Sequence, residues 1–160
     1  MSTRIRETDG DIVAATRAMY AAYGDRSAFD DHLHADVTIW ESDQPDDLMD
    51  LSDLDALRDS RSEASAGTRP TLTVHHAVVD RWADTAAVIR YVLRADSAGT
   101  VTQFRVTDVL VGPDRLDPDD GSARSAAGWR IVHHHAEQLT VGEKATDSET
   151  TPGADTADDG

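Results

Sequence analysis

Between residues 71 and 111 the chain reads "TLTVHHAVVDRW", "AAVIRYVLRAD" and "TVTQFRVTDVLV", interrupted only by "ADT" and "SAG". The three runs are rich in Val, Ile and Thr, the residues that pack well on a pleated surface. The connectors are too short for a crossover, so successive runs must lie antiparallel. Strands this long twist strongly, and a twisted sheet that curls around helices gains a concave face able to hold a pocket. A fourth β-rich run, "WRIVHHHAEQ" at 129–138, follows the acidic segment 112–128. The spacing therefore predicts a sheet whose long strands fall in the second half of the chain.

The first half is helical in pattern. Over 8–24, Ile12, Ala15, Met19, Ala22 and Tyr23 recur at helical spacing, with Thr8 and Asp11 at capping-box distance and Gly24 as the stop. "SAFDDHLH" at 27–34 reads as a short second helix, capped by Ser27 and Asp30. "DVTIWE" at 36–41 alternates like a strand, and 53–64 reads as a third helix behind Ser52 and Asp55. Segregated helices and a largely antiparallel sheet define an α+β fold. Residues 1–140 are expected to form one domain. Residues 141–160 have too few large apolar side chains to offset the ordering entropy, and read as an acidic disordered tail.

Composition narrows the functional classes. There are 31 acids against 15 bases and a net charge of −16. That balance argues against nucleic acid and anionic membranes as partners. The absence of cysteine excludes disulfides and thiolate zinc sites. No apolar run approaches a membrane span, and the N-terminus lacks a signal-peptide core, so a cytoplasmic protein is expected. No phosphate loop, nucleophile elbow or zinc motif occurs, so no cofactor and no metal are expected.

Three consecutive histidines invite a metal reading, but a strand divides them. Strict alternation places Trp129, Ile131, His133, His135 and Glu137 on one face, and Arg130, Val132, His134 and Ala136 on the other. The first face begins more apolar and is taken as the inner one, with His134 outside. In the preceding run Asp108 shares a face with Phe104 and Val106, while Arg105 shares the other with Thr107. Only one of these sets can face a cavity. The remaining pairs, His32 with His34 and His75 with His76, read as exposed or ordinary strand residues.

The helix ending "MYAAYGDRSAFDDHLHADVTIWE", the third helix after a loop, and a last strand of the form Trp-Arg-Ile-Val-His-x-His resemble the nuclear transport factor 2-like superfamily. That group includes ketosteroid isomerases, SnoaL-like polyketide cyclases and the association domain of a calmodulin-dependent kinase. The resemblance spans about residues 7–140. It implies a cystatin-like cone, a curved mixed sheet wrapped around three N-terminal helices, and a homodimer through the outer sheet face. Tyr20 or Tyr23 would stand near a helix-one tyrosine of ketosteroid isomerases. The resemblance also implies an inward arginine on the strand before the last, placing Arg105 beside His133. The ligand-binding set expected on these grounds is Trp40, Arg105, Thr107, His133 and His135. The expected function is a pocket for a small molecule in a binding or assembly role. The alternative is an isomerase, cyclase or dehydratase with His133 as acid–base and Arg105 as charge stabiliser.

Overall fold

The computed structural model describes residues 3–44, 46–64, 69–113 and 128–139. The expected tail and most of the acidic segment 112–128 lie outside the described residues. The elements run β1 (Arg4–Glu7), α1 (Asp11–Ala21), α2 (Arg26–Asp30), β2 (Leu33–Trp40), α3 (Leu51–Ala64), β3 (Thr71–Trp82), β4 (Ala86–Ser97), β5 (Thr100–Val111) and β6 (Arg130–Gln138). This is the α+β architecture expected, with the strands in one sheet of order β1-β3-β4-β5-β6-β2. β3, β4 and β5 are antiparallel, as the short connectors require; β6 lies antiparallel to β5 across the long acidic segment, and β2 joins β6 in parallel.

Local details differ from the sequence reading at the helix starts. α1 is preceded by Gly10 with no side-chain cap, not by a Thr8–Asp11 box. Residues 4–7, too short and charged to stand out as a strand, pair with β3 at the sheet edge. α2 is capped by Asp25, whose side chain accepts from the Ala28 amide, so Ser27 lies inside the helix. α3 starts at Leu51, two residues before the expected start: Asp50 and Asp53 accept from each other's amides at 3.0 Å. In α2 and α3 a nearer aspartate meets the orphan backbone donors.

One sheet face packs against the helices. Ile12, Val13, Met19 and Tyr20 of α1 and Leu54 of α3 meet Val79, Ile89, Tyr91, Leu93, Val106 and Leu110 in a single core. Two bulges bend this sheet. In β3, His75 pairs with Val92 and Val78 with Arg90, so His76 and Ala77 oppose the single residue Tyr91. His76 adopts the left-handed conformation, φ 54°, that the bulge demands. In β6, His133 pairs with Val109 and Ile131 with Leu110, leaving Val132 as the extra residue.

The second bulge overturns an expectation. An extra residue reverses every side chain beyond it. Trp129 and Ile131 are buried as anticipated, but after Val132 it is His134 and Ala136 that face the core. His133 and His135 face out. The inward placement of His133 and His135, and the outward placement of His134, are corrected accordingly.

Candidate functional site

β5 presents its apolar set, Phe104, Val106, Asp108 and Leu110, to the concave side. Asp108 is the one carboxylate in that row and is 0% exposed. A charge so placed is costly unless it is hydrogen-bonded on all sides. Three elements supply the partners. The Tyr91 hydroxyl of β4 donates to Asp108 Oδ2 at 2.8 Å. His134 Nδ1 of β6 lies 2.6 Å from Asp108 Oδ1. The Tyr20 hydroxyl of α1 lies 2.7 Å from that of Tyr91. Tyr91 has spent its only proton on Asp108, so Tyr20 must be the donor in the last bond. The network therefore has a direction: Tyr20 to Tyr91 to Asp108, with His134 donating from the other side.

The rings hold each other in place. Tyr20 meets Tyr91 edge-on at 5.9 Å and Phe29 at 6.0 Å. Burial, and then the Asp108 charge, push both phenols well above their ordinary pKa, so both keep their protons. For His134, burial works to lower the pKa. The Asp108 carboxylate, by charge and hydrogen bond, and Glu41 outweigh it, and the net shift is upward. The ring therefore holds its second proton to higher pH than an ordinary imidazole. In both forms Asp108 keeps the proton on Nδ1, which leaves Nε2 to exchange. Nε2 has no partner among the described residues and is not sealed from solvent; the side chain is 15% exposed.

A cavity of about 320 Å³ opens on the same side of the sheet, lined by Tyr23, Glu41, Asp43, Arg61, Phe104 and Gln138 with Ser42. Its walls continue the elements of the network. Phe104 lies on the Asp108 face of β5, Gln138 on the His134 face of β6, and Tyr23 one turn beyond Tyr20. Glu41 is close enough to act electrostatically on both Tyr20 and His134. At the rim, Arg61 pairs with Asp43 at 2.7 Å.

The residues expected to bind ligand are not gathered here. Arg105 stands on the convex face, its side chain 66% exposed, 3.6 Å from Glu137. Thr107 shares that face, directly opposite His135 and diagonal to His133, whereas Arg105 pairs with Glu137 further along and does not stand beside His133. His133 bonds Thr38 at 2.8 Å, and its pKa is lowered by burial and by His135 and His134. Trp40, 45% exposed, packs edge-on against His133 and His135 from outside. The cause is the Val132 bulge for the histidines, and for Arg105 the apolar row that binds Asp108 to the core face. Of the two candidate tyrosines, Tyr20 joins the network and Tyr23 stays at the rim. Tyr91 was not singled out in the sequence, although it sits between Ile89 and Leu93 on the buried alternation of its strand. Among the described residues no group of three or more His, Asp or Glu is placed to hold a metal ion. No described helix is long and apolar enough to cross a membrane.

Comparison with solved structures decides the fold. The CaMKII hub of S. rosetta superposes with a TM-score of 0.62 at 19% identity, over 81% of this chain and 95% of that one. A provisionally named ketosteroid isomerase from Parabacteroides distasonis gives 0.56 at 19% identity, over 80% and 85%. The chain has the nuclear transport factor 2-like fold. A protein of unknown function from the DUF3225 family, from Pectobacterium atrosepticum, gives 0.55 at 19% identity, over 81% and 89%. No family model and no curated protein sequence matches. At these identities the likeness carries the architecture, and function must be argued from the site.

Proposed function

We propose that the cone binds a small neutral molecule bearing a carbonyl or hydroxyl group and exchanges a proton with it at His134. The observation that carries this reading is a buried His–Asp pair, backed by two tyrosines; a cavity lined by Phe104, Gln138 and Glu41 opens on the same side of the sheet, and Glu41 is close enough to act on the His134 charge. In the imidazole form, Nε2 is a base able to take a proton from carbon beside a carbonyl. In the imidazolium form it returns a proton to the neighbouring carbon or to oxygen. Asp108 fixes the tautomer and stabilises the cation, and Tyr91, itself bonded by Tyr20, donates to its second oxygen. With Asp43 balanced by Arg61, the remaining charge of the lining is Glu41, which disfavours an anionic substrate. The reaction class is isomerisation or dehydration, with His134 and Asp108 in the roles first expected of His133 and Arg105. The test is hydrogen–deuterium exchange, followed by NMR, at the α-carbons of a panel of neutral cyclic ketones in D₂O. Wild type should accelerate exchange, and His134→Gln and Asp108→Asn should abolish the acceleration while staying folded. No acceleration and no thermal stabilisation by any member would refute the reading.

A second reading, assembly as a homodimer through the outer sheet face, is supported by Trp40 and Trp82, both large, exposed and on that face. Sedimentation at micromolar concentration should give twice the chain mass, and Trp40→Glu should shift it to the monomer. A wild-type monomer counts against it.

A further inference from the structure

Three adjacent strands, β5, β6 and β2, bring their residues to the cavity of about 320 Å³ on the core side of the sheet. Phe104 of β5 pairs with Gln138 of β6, and the chain leaving β2 supplies Glu41 and Asp43. Tyr23, just past the end of α1, and Arg61 of α3 stand over them. The volume falls within the range of small-molecule pockets.

The sequence puts Glu41 there by alternation. Val37 and Ile39 are buried and Trp40 is exposed, so Glu41 takes the next inward position as the strand ends. It is half-buried, and its carboxylate makes no hydrogen bond and no ion pair among the described residues. The neighbouring carboxylates are answered: Asp43 pairs with Arg61 at 2.7 Å, and Asp108 with His134 at 2.6 Å. A carboxylate drawn part-way out of water without a partner is unfavourable, and a cation brought to it offsets that cost.

The lining beside it is aromatic. Tyr23 is 45% exposed, and its hydroxyl has no partner among the described residues. Its ring is held edge-on to Phe29 at 6.3 Å, and Phe29 already carries the Arg58 guanidinium over its face at 5.3 Å. Phe104 is steadied by the core. Aromatic rings attract cations, and more strongly where water is partly excluded. An unanswered carboxylate with two aromatic rings suits an ammonium group on a small apolar body.

We infer that this cavity is a binding site for a small organic amine in its ammonium form, with Glu41 accepting its N–H bonds and Tyr23 and Phe104 covering its apolar body. The site adds a second class of ligand to the neutral one proposed above. It does not rest on proton exchange at His134.

The experiment is a calorimetric titration of the full chain with cyclohexylammonium, cyclohexanol and cyclohexanecarboxylate at pH 7 and about 0.15 M salt, which screens attraction to remote charges. The three probes share one ring and differ in charge. The ammonium should bind at least about tenfold more tightly than the alcohol, the equivalent of one charge-assisted bond, and the carboxylate should give no signal. Glu41→Gln, nearly isosteric, should reduce the ammonium to the affinity of the alcohol. Asp36→Asn removes the same charge from a side chain 91% exposed elsewhere on β2 and should leave the affinity within about twofold. His134→Gln should not weaken it, so ammonium binding with a failed exchange assay would remove the relay and keep this site. Circular dichroism melts confirm that each variant is folded. The inference is overturned if millimolar cyclohexylammonium gives no signal, or if the alcohol binds as tightly. It is equally overturned if Asp36→Asn weakens binding as much as Glu41→Gln, which would mean diffuse attraction to an acidic surface.

Discussion

Replacing His134 by Ala tests both the register of β6 and the energetics of the relay. The substitution removes the partner of Asp108 Oδ1 and leaves a carboxylate with 0% exposure held by Tyr91 alone. Breaking a buried charge pair by deleting one member costs about 3–5 kcal/mol. An upper bound follows from the escape route, which is to protonate the orphan. For a carboxyl of ordinary pKa near 3.9, protonation costs about 4 kcal/mol at pH 7 and about 1.5 kcal/mol at pH 5. The expected loss is therefore about 3–4 kcal/mol at pH 7; at pH 5 the orphan is protonated more cheaply, but the wild type then carries the full His134 contribution, and the two changes oppose each other. Urea denaturation at the two pH values, with a fixed m-value, gives both losses. His135→Ala, on the exposed side of the same strand, should stay within about 0.5 kcal/mol at both. A His134→Ala loss below about 1 kcal/mol at pH 7, or a larger loss for His135→Ala, would refute the assignment of the buried face and the relay with it.

Tyr91→Phe removes the donor to Asp108 Oδ2 and the acceptor for Tyr20; it should cost about 2–4 kcal/mol by urea denaturation, and a neutral result would mean the hydroxyls are satisfied by water. The raised pKa of His134 makes its stabilisation complete below the unfolded value of about 6.5 and lost as pH rises through the folded value, so above about pH 6.5 the wild-type melting temperature should fall with pH more steeply than that of His134→Gln. NMR titration of the imidazoles should place His134 above the ordinary value and His133 and His32 below it; the reverse order would contradict the burial and pairing described. Arg105→Ala, fully on the convex side, should change stability by no more than about 0.5 kcal/mol, and a core-sized loss would return it to the cone.

The parts of this molecule legible in the sequence are those where one local rule acts alone. β3, β4 and β5 emerge at 71–82, 86–96 and 100–111 with little adjustment, because dense β-branched residues and three-residue connectors admit one arrangement. α1 and α3 follow from the spacing of Ile12, Met19 and Leu54, but their first residues do not. Ser and Asp compete for the cap, and tertiary position decides which is used. β1 is hidden because Arg4 to Glu7 have no apolar alternation, and their pairing depends on an edge that exists only after β3 has formed.

The site was half legible, for a physical reason located at one residue. In β5 the alternation Phe104, Val106, Asp108, Leu110 is unbroken, so the apolar row alone identifies Asp108 as the buried acid. An implied inward Arg105 conflicts with that row, and the row prevails: turning β5 over would bury Arg105 and expose four core positions. In β6 the same rule fails because Val132 is bulged. Trp129 and Ile131 argue for one phase and Ala136 for the other. No continuous strand satisfies both, and the conflict itself is the signature of an inserted residue. The bulge brings His134, and neither of its neighbours, to Asp108. A buried carboxylate needs a charged or strongly donating partner, whereas the half-buried His133 is satisfied by Thr38 and the exposed His135 needs none. The polar requirement of Asp108 and the apolar requirements of Ile131 and Ala136 are met together only by the strand with its extra residue at Val132.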